Sequence, residues 1–122
     1  MLLSLCLFLE HAVTPEQREQ GLMYREALAE NSGMTFNYEE PQKLTFWSKN
    51  CLIDLDLAFL DSEKVIQEIY LLPAEPLTAI TSKKRAQYAV EMNAGWFKKH
   101  EVKVGDQLQW KTGSSCGEVV GR

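Results

Sequence analysis

The sequence lacks most of the features by which common functions are identified. It has no apolar run of the roughly 18 residues that a membrane-spanning helix needs. It also lacks a glycine-rich phosphate loop, a nucleophile elbow and the HExxH motif of zinc proteases. Its two histidines, His11 and His100, are far apart in the chain. We therefore expect no metal, no cofactor and no membrane span.

Basic residues are also fewer than acidic residues. The chain has 13 basic and 17 acidic residues and a net charge of −4. Proteins that bind nucleic acid gain much of their affinity by neutralising phosphates, and they usually carry a basic excess. The basic clusters here, Lys83-Lys84-Arg85 and Lys98-Lys99, are short and typical of solvated surface. We therefore do not expect nucleic acid as a partner.

Cysteine is too scarce for a disulfide framework or a zinc ligand set. Cys6, Cys51 and Cys116 are an odd number and form no CxxC pair. One disulfide is possible, but three reduced thiols are the simpler interpretation. Cys51 alone lies among polar residues, so it is the one candidate reactive thiol, with a small buried side chain as the simpler alternative.

The N-terminal segment, MLLSLCLFLEHAV, is apolar like a signal peptide but lacks a positive start and a small-residue cleavage site. We interpret it as a first β-strand with Leu5, Leu7 and Leu9 on one face. A cytoplasmic location is then expected. The alternative is an exported or periplasmic protein whose export signal is decayed or truncated.

The rest of the sequence has many strand patterns and two helix signals. Thr14-Pro15-Glu16-Gln17 combines an N-cap, a first-turn proline and a capping-box glutamine. It predicts a helix that is bent or broken near Gly21 and packs only its second half. Residues 93–100 predict a second short helix. Strands are predicted at 5–10, 34–38, 44–49, 55–60, 64–72 and 86–92 and within 102–110.

These elements predict one α+β, β-rich domain over residues 1–111. Several short strands in so small a chain favour a closed or nearly closed barrel, because closure removes exposed sheet edges. We expect about seven short strands in that barrel, with two short helices. Residues 112–122 are rich in glycine and serine and are expected to form a poorly ordered tail.

Residues 46–56, FWSKNCLIDLD, mix charged, aromatic and aliphatic side chains within one stretch. In an extended chain, Phe46 and Ser48 point one way while Trp47 and Lys49 point the other. Asp56 should lie opposite the apolar stripe of the following strand. We therefore expect Asp56 to face water or a polar cavity.

Lys49 and Glu91 pose a related problem, since each is charged among apolar neighbours. A lysine at position 49 must reach water, meet a carboxylate or lie over an aromatic ring. An ion pair of Lys49 with Asp56 or Glu91 would be structural, whereas the same groups lining a concavity would form a site. Sequence leaves both open.

Five short segments, in order, are similar to one known family. They are Gly21-Leu22-Met23-Tyr24-Arg25, Gly33-Met34-x-Phe36, Phe46-Trp47-x-Lys49-Asn50 with Leu55-Asp56 after it, Glu91-x-x-Ala94-Gly95, and Gly105-Asp106. Together they resemble the domain-of-unknown-function 192 family, also called uncharacterised protein family 0127, over about residues 5–110. The resemblance implies a compact, β-barrel-like domain of bacteria and archaea, often behind an export signal, and implies no activity. Ser48 and Cys51 depart from the methionine and threonine usual in that family.

The polar positions that the resemblance carries over suggest three hypotheses. The first is a non-enzymatic binding or accessory module for a small polar or anionic ligand or a partner protein. The second is a hydrolase or transferase with Asp56 or Glu91 as base and Lys49 stabilising developing negative charge. The third is a structural ion-pair network. The candidate ligand-binding residues are Arg25, Lys49, Asn50, Asp56 and Glu91; Asp106 is a further polar motif position, within a turn.

Overall fold

A computed structural model describes residues 5–111 and 116–120. Nine strands and two short helices occur within these ranges. In chain order they are β1 (Phe8–Ala12), α1 (Pro15–Gln20), β2 (Ser32–Gln42), β3 (Thr45–Trp47), β4 (Leu55–Leu60), β5 (Ile66–Leu72), β6 (Ala79–Thr81), β7 (Ala86–Asn93), α2 (Trp96–Lys99), β8 (Gln107–Gln109) and β9 (Glu118–Val120). The β-rich composition with two short helices is confirmed.

The strands are arranged in three sheets. The main sheet has five strands in the order β1-β2-β7-β4-β5, with β1 and β2 parallel and the other pairs antiparallel. β3 pairs with β6, and β8 pairs with β9. Single bridges, Leu7 to Gly117 and Val65 to Gln107, connect the β8–β9 pair to the outer parts of the main sheet. The described strands do not form one closed barrel, so the predicted barrel is not confirmed.

The centre of the main sheet is covered on both faces. Every residue of β4 is buried. The face of Leu57 and Phe59 packs against β3, β6 and the segment after α1, whereas the face of Ala58 and Leu60 packs against α2 and β8. A charged side chain on β4, or within the buried residues 89–92 of its neighbour β7, must therefore find a partner within the protein or lose its charge.

Helix α1 begins where the sequence predicts. The Thr14 hydroxyl accepts a hydrogen bond from the Gln17 amide (3.1 Å), and the Gln17 side chain accepts one from the Thr14 amide (3.0 Å). The prediction of a second, packed half of the helix is wrong. Gly21 has a φ of +47°, and a Cβ there would lie 3.2 Å from the Phe36 ring. The chain turns at this glycine, and Leu22 enters the core without helical structure.

The two ends of the described chain are linked. Cys6 and Cys116 form a disulfide, with Cα atoms 5.4 Å apart and a sequence separation of 110. The interpretation of three reduced thiols is therefore wrong for this pair, and Cys51 is the free cysteine. Sequence spacing could not indicate the pairing, because it depends on how the fold brings distant residues together.

The expected tail is described only in part. Residues 116–120 carry β9, which pairs with β8, so this part of the expected poorly ordered segment has regular structure. Residues 112–115 and 121–122 lie outside the described residues, as do residues 1–4, which precede the predicted first strand. The division of the chain at residue 111 stays a prediction.

Removal of the disulfide should lower the free energy of unfolding by about 2–5 kcal/mol, because the bond restricts a long loop in the unfolded chain. Urea unfolding of the Cys6→Ser/Cys116→Ser double variant can be compared with that of the wild-type protein under oxidising conditions. Cys51→Ser, which leaves the bond intact, is the control. Equal unfolding midpoints for the double variant and the wild type would contradict the assignment.

Candidate functional site

A cavity of about 520 Å³ lies on the Leu57 face of the main sheet. It is bounded by α1 and the turn after it, by β2, by β3 with the loop that follows, and by β7. The lining residues, in chain order, are Arg18, Glu19, Gln20, Gly21, Leu22, Met23, Phe36, Tyr38, Thr45, Phe46, Trp47, Lys49, Cys51 and Glu91.

Glu91 is the buried acidic group of this cavity. It pairs with Met34 on β2 and with Leu57 on β4, so its side chain lies on the face that those residues share. Glu91 is only 4% exposed. Its carboxyl group has no hydrogen bond or ion pair to any residue in the described part of the chain. Burial raises the pKa of Glu91 to about 8, so the group is mainly uncharged at neutral pH.

Gly33 fixes the backbone at this point. A Cβ on Gly33 would lie 2.3 Å from the carbonyl oxygen of Glu91, which is far inside contact distance. Strands β2 and β7 can therefore approach this closely only with glycine at position 33. A larger residue would displace β7 and with it the Glu91 carboxyl group.

Aromatic rings form much of the cavity wall. Phe36 and Phe46 pack edge to face with their centroids 4.8 Å apart, and both are buried. Tyr38 is half-buried, and Trp47 is exposed on the outer side. The buried Glu91 carboxyl group therefore has aromatic rings nearby, and the charged residues Arg18, Glu19 and Lys49 also line the cavity.

Arg18 is held in a fixed position beside the Tyr38 ring. Its guanidinium lies 4.5 Å from the ring centroid. The Nη1 atom donates hydrogen bonds to the carbonyl oxygens of Val13 (2.5 Å) and Asn37 (3.0 Å). Arg18 thus places a positive charge at the cavity without a carboxylate partner among the described residues.

Two further ionisable groups of the lining are uncharged at neutral pH. Burial raises the pKa of the Cys51 thiol, and the Glu91 charge adds to the effect. Burial also raises the pKa of Tyr38, with Arg18 acting in the opposite direction and Glu91 in the same one. A raised pKa is the opposite of what activates a thiol, so the structure does not support Cys51 as a reactive cysteine.

Two of the five candidate residues line the cavity, and these are Lys49 and Glu91. The predicted alternation is confirmed, since Phe46 and Ser48 are buried whereas Trp47 and Lys49 are exposed. Within residues 5–111, no ion pair joins Lys49 to Asp56 or Glu91. The described residues therefore do not show the structural ion-pair network of Lys49 with Asp56 or Glu91.

Asp56 lies on the opposite face of the main sheet. It is 8% exposed, and its Oδ2 accepts a hydrogen bond of 3.2 Å from the Phe97 amide. The prediction that it faces water or a polar cavity is wrong, because α2 covers this face of β4. Asp56 instead satisfies an amide at the start of α2, where Gly95 has no side chain to do so.

Arg25 and Asn50 also lie outside the cavity lining. Arg25 makes a two-point ion pair with Glu10 on β1, with nitrogen–oxygen distances of 2.6 and 2.8 Å. Asn50 is exposed with a φ of +59°, and its carbonyl oxygen accepts a hydrogen bond from the Tyr24 amide. Both residues therefore make contacts that fix loops, and their roles in a ligand site stay predictions.

Sequence reasoning missed Arg18 and Tyr38 as cavity residues. Tyr38 could have been found, because Met34, Phe36 and Tyr38 alternate along one strand and must share a face. Arg18 gave no such signal, since it belongs to a short, fully polar helix.

The described residues show neither a metal site nor a membrane-spanning helix. No group of three or more His, Cys, Asp or Glu side chains in them could hold a metal ion. No helix in the same ranges combines the length and the apolar character that crossing a bilayer requires.

Comparison with known proteins identifies the family. The profile of the domain-of-unknown-function 192 family, described as "Uncharacterized ACR", matches residues 5–110. The chain belongs to this family. It is also similar to a UPF0127 protein of Pyrococcus abyssi, with 38% identity over 61 residues, and this match spans about half of each chain. The resemblance stated from the sequence is thus confirmed.

Two solved structures have the same fold. One, from Sinorhizobium meliloti 1021, is described as a proposed transcription regulator and is 39% identical, with a TM-score of 0.78 over 83% of this chain and 79% of that one. The other, from Novosphingobium aromaticivorans, is described as a protein of unknown function and is 28% identical, with a TM-score of 0.81 over 85% of this chain and 75% of that one.

The buried Glu91 should make the protein less stable as the pH rises from about 4.5 to about 8. In this interval the folded protein keeps the Glu91 proton whereas the unfolded chain has released it, so the unfolded state binds fewer protons and stability falls. The difference between a pKa of 4.5 and one of about 8 corresponds to a loss on the order of 5 kcal/mol above the upper value. The measurement is the free energy of unfolding in urea across this pH range.

Glu91→Gln should remove most of this pH dependence, because glutamine does not titrate. Glu26→Gln, at an exposed position outside the cavity, is the matched control and should keep it. If wild type and Glu91→Gln lose stability in parallel as pH rises, the burial of an unpaired carboxyl group is not the cause.

Proposed function

We propose that this domain is a non-enzymatic binding module that holds a small ligand in the cavity beside Glu91. The observation that carries the proposal is the Glu91 carboxyl group, which is 4% exposed and has no hydrogen-bonding partner in the described residues. A buried polar group without a partner costs free energy. A ligand group in the cavity would supply that partner.

The shape and lining of the cavity support this role. Its volume of about 520 Å³ falls within the range of roughly 300–1,000 Å³ that is usual for small-molecule sites. Such sites are mostly apolar and contain a few placed polar groups, which matches aromatic walls around Glu91 with Lys49 at the exposed side. Four of the five segments that carry the family resemblance contribute to the lining.

A hydrolase or transferase with Glu91 as the base is the second candidate. The raised pKa of Glu91 favours a catalytic role, because the pKa values of catalytic acids and bases are often shifted towards neutral pH. Asp56 cannot assist, since it lies on the other face of the sheet. Tyr38 and Cys51 both have raised pKa values, so neither is an activated nucleophile. We therefore favour binding over catalysis.

The relative from Sinorhizobium meliloti is described as a proposed transcription regulator. If this chain acts in regulation, we propose that it does so through its ligand. A net charge of −4 gives little attraction to the phosphates of DNA, so direct contact with nucleic acid is not expected.

The disulfide provides information about the cellular compartment of the protein. Disulfides persist mainly in oxidising compartments and are rare in the cytosol of mesophiles. The bond between Cys6 and Cys116 therefore favours the exported or periplasmic alternative over a cytoplasmic location.

The binding proposal is tested by identifying small molecules that co-purify with the protein and by a thermal-shift screen of a metabolite library. A ligand at a hundredfold its Kd should stabilise the wild-type protein by about 2.7 kcal/mol. The response should be lost in Glu91→Gln and weakened in Lys49→Met.

Lys49→Met should itself change the free energy of unfolding by no more than about 0.5 kcal/mol, because Lys49 is exposed and has no ion-pair partner in the described residues. Lys98→Met, at an exposed position on α2, is the matched control and should keep the full ligand response. Two results would contradict the proposal. One is a ligand response in Glu91→Gln and Lys49→Met that equals the response of the wild-type protein. The other is a strong destabilisation of Lys49→Met with no loss of any ligand response.

A further inference from the structure

We infer that the ligand of this cavity is a small amphoteric molecule, with an amine that meets Glu91, an acidic group that meets Lys49 and an apolar body between them. The inference rests on the proposed binding function and specifies the chemical class of the ligand. Its basis is the order of charges in the cavity, which is acidic where it is buried and basic where it is exposed.

The buried end of the cavity favours an amine. Glu91 has no partner in the described residues, and it is buried on the sheet face that it shares with Met34 and Leu57. A neutral ligand group would supply only a hydrogen bond, whereas an ammonium supplies a charge-assisted hydrogen bond in a setting where water screens little. The rings of Phe36, Tyr38 and Phe46 line the same space, and ring faces attract an ammonium group.

The exposed side of the cavity favours an acidic group. Lys49 is exposed and, within the described ranges, forms no ion pair or hydrogen bond through its side chain. Arg18 adds a second positive charge that is fixed by two carbonyl oxygens. Glu19 offsets one of these charges. A simple amine would be repelled by this basic side, whereas a ligand with an acidic end would satisfy both ends of the cavity.

Binding of an amine should release a proton. The titratable and charged groups that face Glu91 are Tyr38 on β2, Arg18 and Glu19 on α1, and Lys49 and Cys51 after β3, while β4 contributes only an apolar residue. Tyr38 and Cys51 have raised pKa values and stay neutral below pH 8. Glu91 holds a proton in the free protein up to about pH 8 and must lose it to pair with an ammonium.

The test uses three probes of one chain length: ε-aminocaproate with both charged groups, hexylamine with the amine alone, and hexanoate with the acid alone. Isothermal titration calorimetry on the full chain gives their affinities near the pKa of Glu91, about 8, and about two units below it. An alkylamine stays protonated at both values, since its pKa is about 10.4.

We expect ε-aminocaproate to bind most tightly, with an affinity that rises up to about tenfold per pH unit below the pKa of Glu91. Heats measured in buffers of different ionisation enthalpy should show release of about one proton. Glu91→Gln should weaken ε-aminocaproate about tenfold or more, and Lys49→Met should reduce its affinity to that of hexylamine. Glu26→Gln is the matched control and should bind as wild type does.

Three results would overturn the inference: hexanoate binding as tightly as ε-aminocaproate, an affinity for ε-aminocaproate that falls with rising pH, or no binding of any probe. If hexylamine bound as tightly as ε-aminocaproate, the inference that the ligand has an acidic group would be wrong. The proton release is measured on wild type, so the test holds even if Glu91→Gln does not fold. If the probes fail while the metabolite screen finds a ligand that depends on Glu91, the binding function stands and the inferred class is wrong.

Discussion

The packing of β4 and β7 on both faces is the constraint on which the rest of the structure depends. All of β4 and residues 89–92 of β7 are buried, so a carboxyl group placed there loses most of its contact with water. Asp56 and Glu91, the acidic residues of these two strands, compensate for the loss of water in different ways. Asp56 accepts a hydrogen bond from the Phe97 amide and so helps to hold α2 on the sheet. Glu91, on the other face, has no partner in the described residues and gives up its charge instead.

The cavity exists because short, separate segments cover the face of the main sheet on which Glu91 lies. Helix α1 ends at Gln20, and Gly21, which begins the following turn, lies against the Phe36 ring. Among the described strands β3 pairs only with β6, so it covers the main sheet without joining it. Between these pieces, side chains from four segments enclose a space that none of them fills. The family's function is unassigned, and this space with its one buried acid is where we expect that function to be found.

Signals that act within a few residues could be predicted from the sequence. The cap at Thr14, the bounds of β4 at Leu55–Leu60 and the alternation that buries Ser48 and exposes Lys49 all follow from local chemistry. Features that depend on distant packing could not. The Cys6–Cys116 bond joins residues at the two ends of the chain. The burial of Asp56 depends on where α2 lies, and whether strands close into a barrel depends on edge contacts that short-range patterns do not specify.

The titration of Glu91 tests the central claim most directly. Carbon-detected nuclear magnetic resonance of uniformly labelled protein resolves each side-chain carboxyl carbon, and Glu91→Gln assigns the signal by its disappearance. The account predicts that this carbon titrates with a pKa of about 8 in the free protein. A titration near the ordinary value of 4.5 would show that the carboxyl group is solvated or paired, and it would contradict the account.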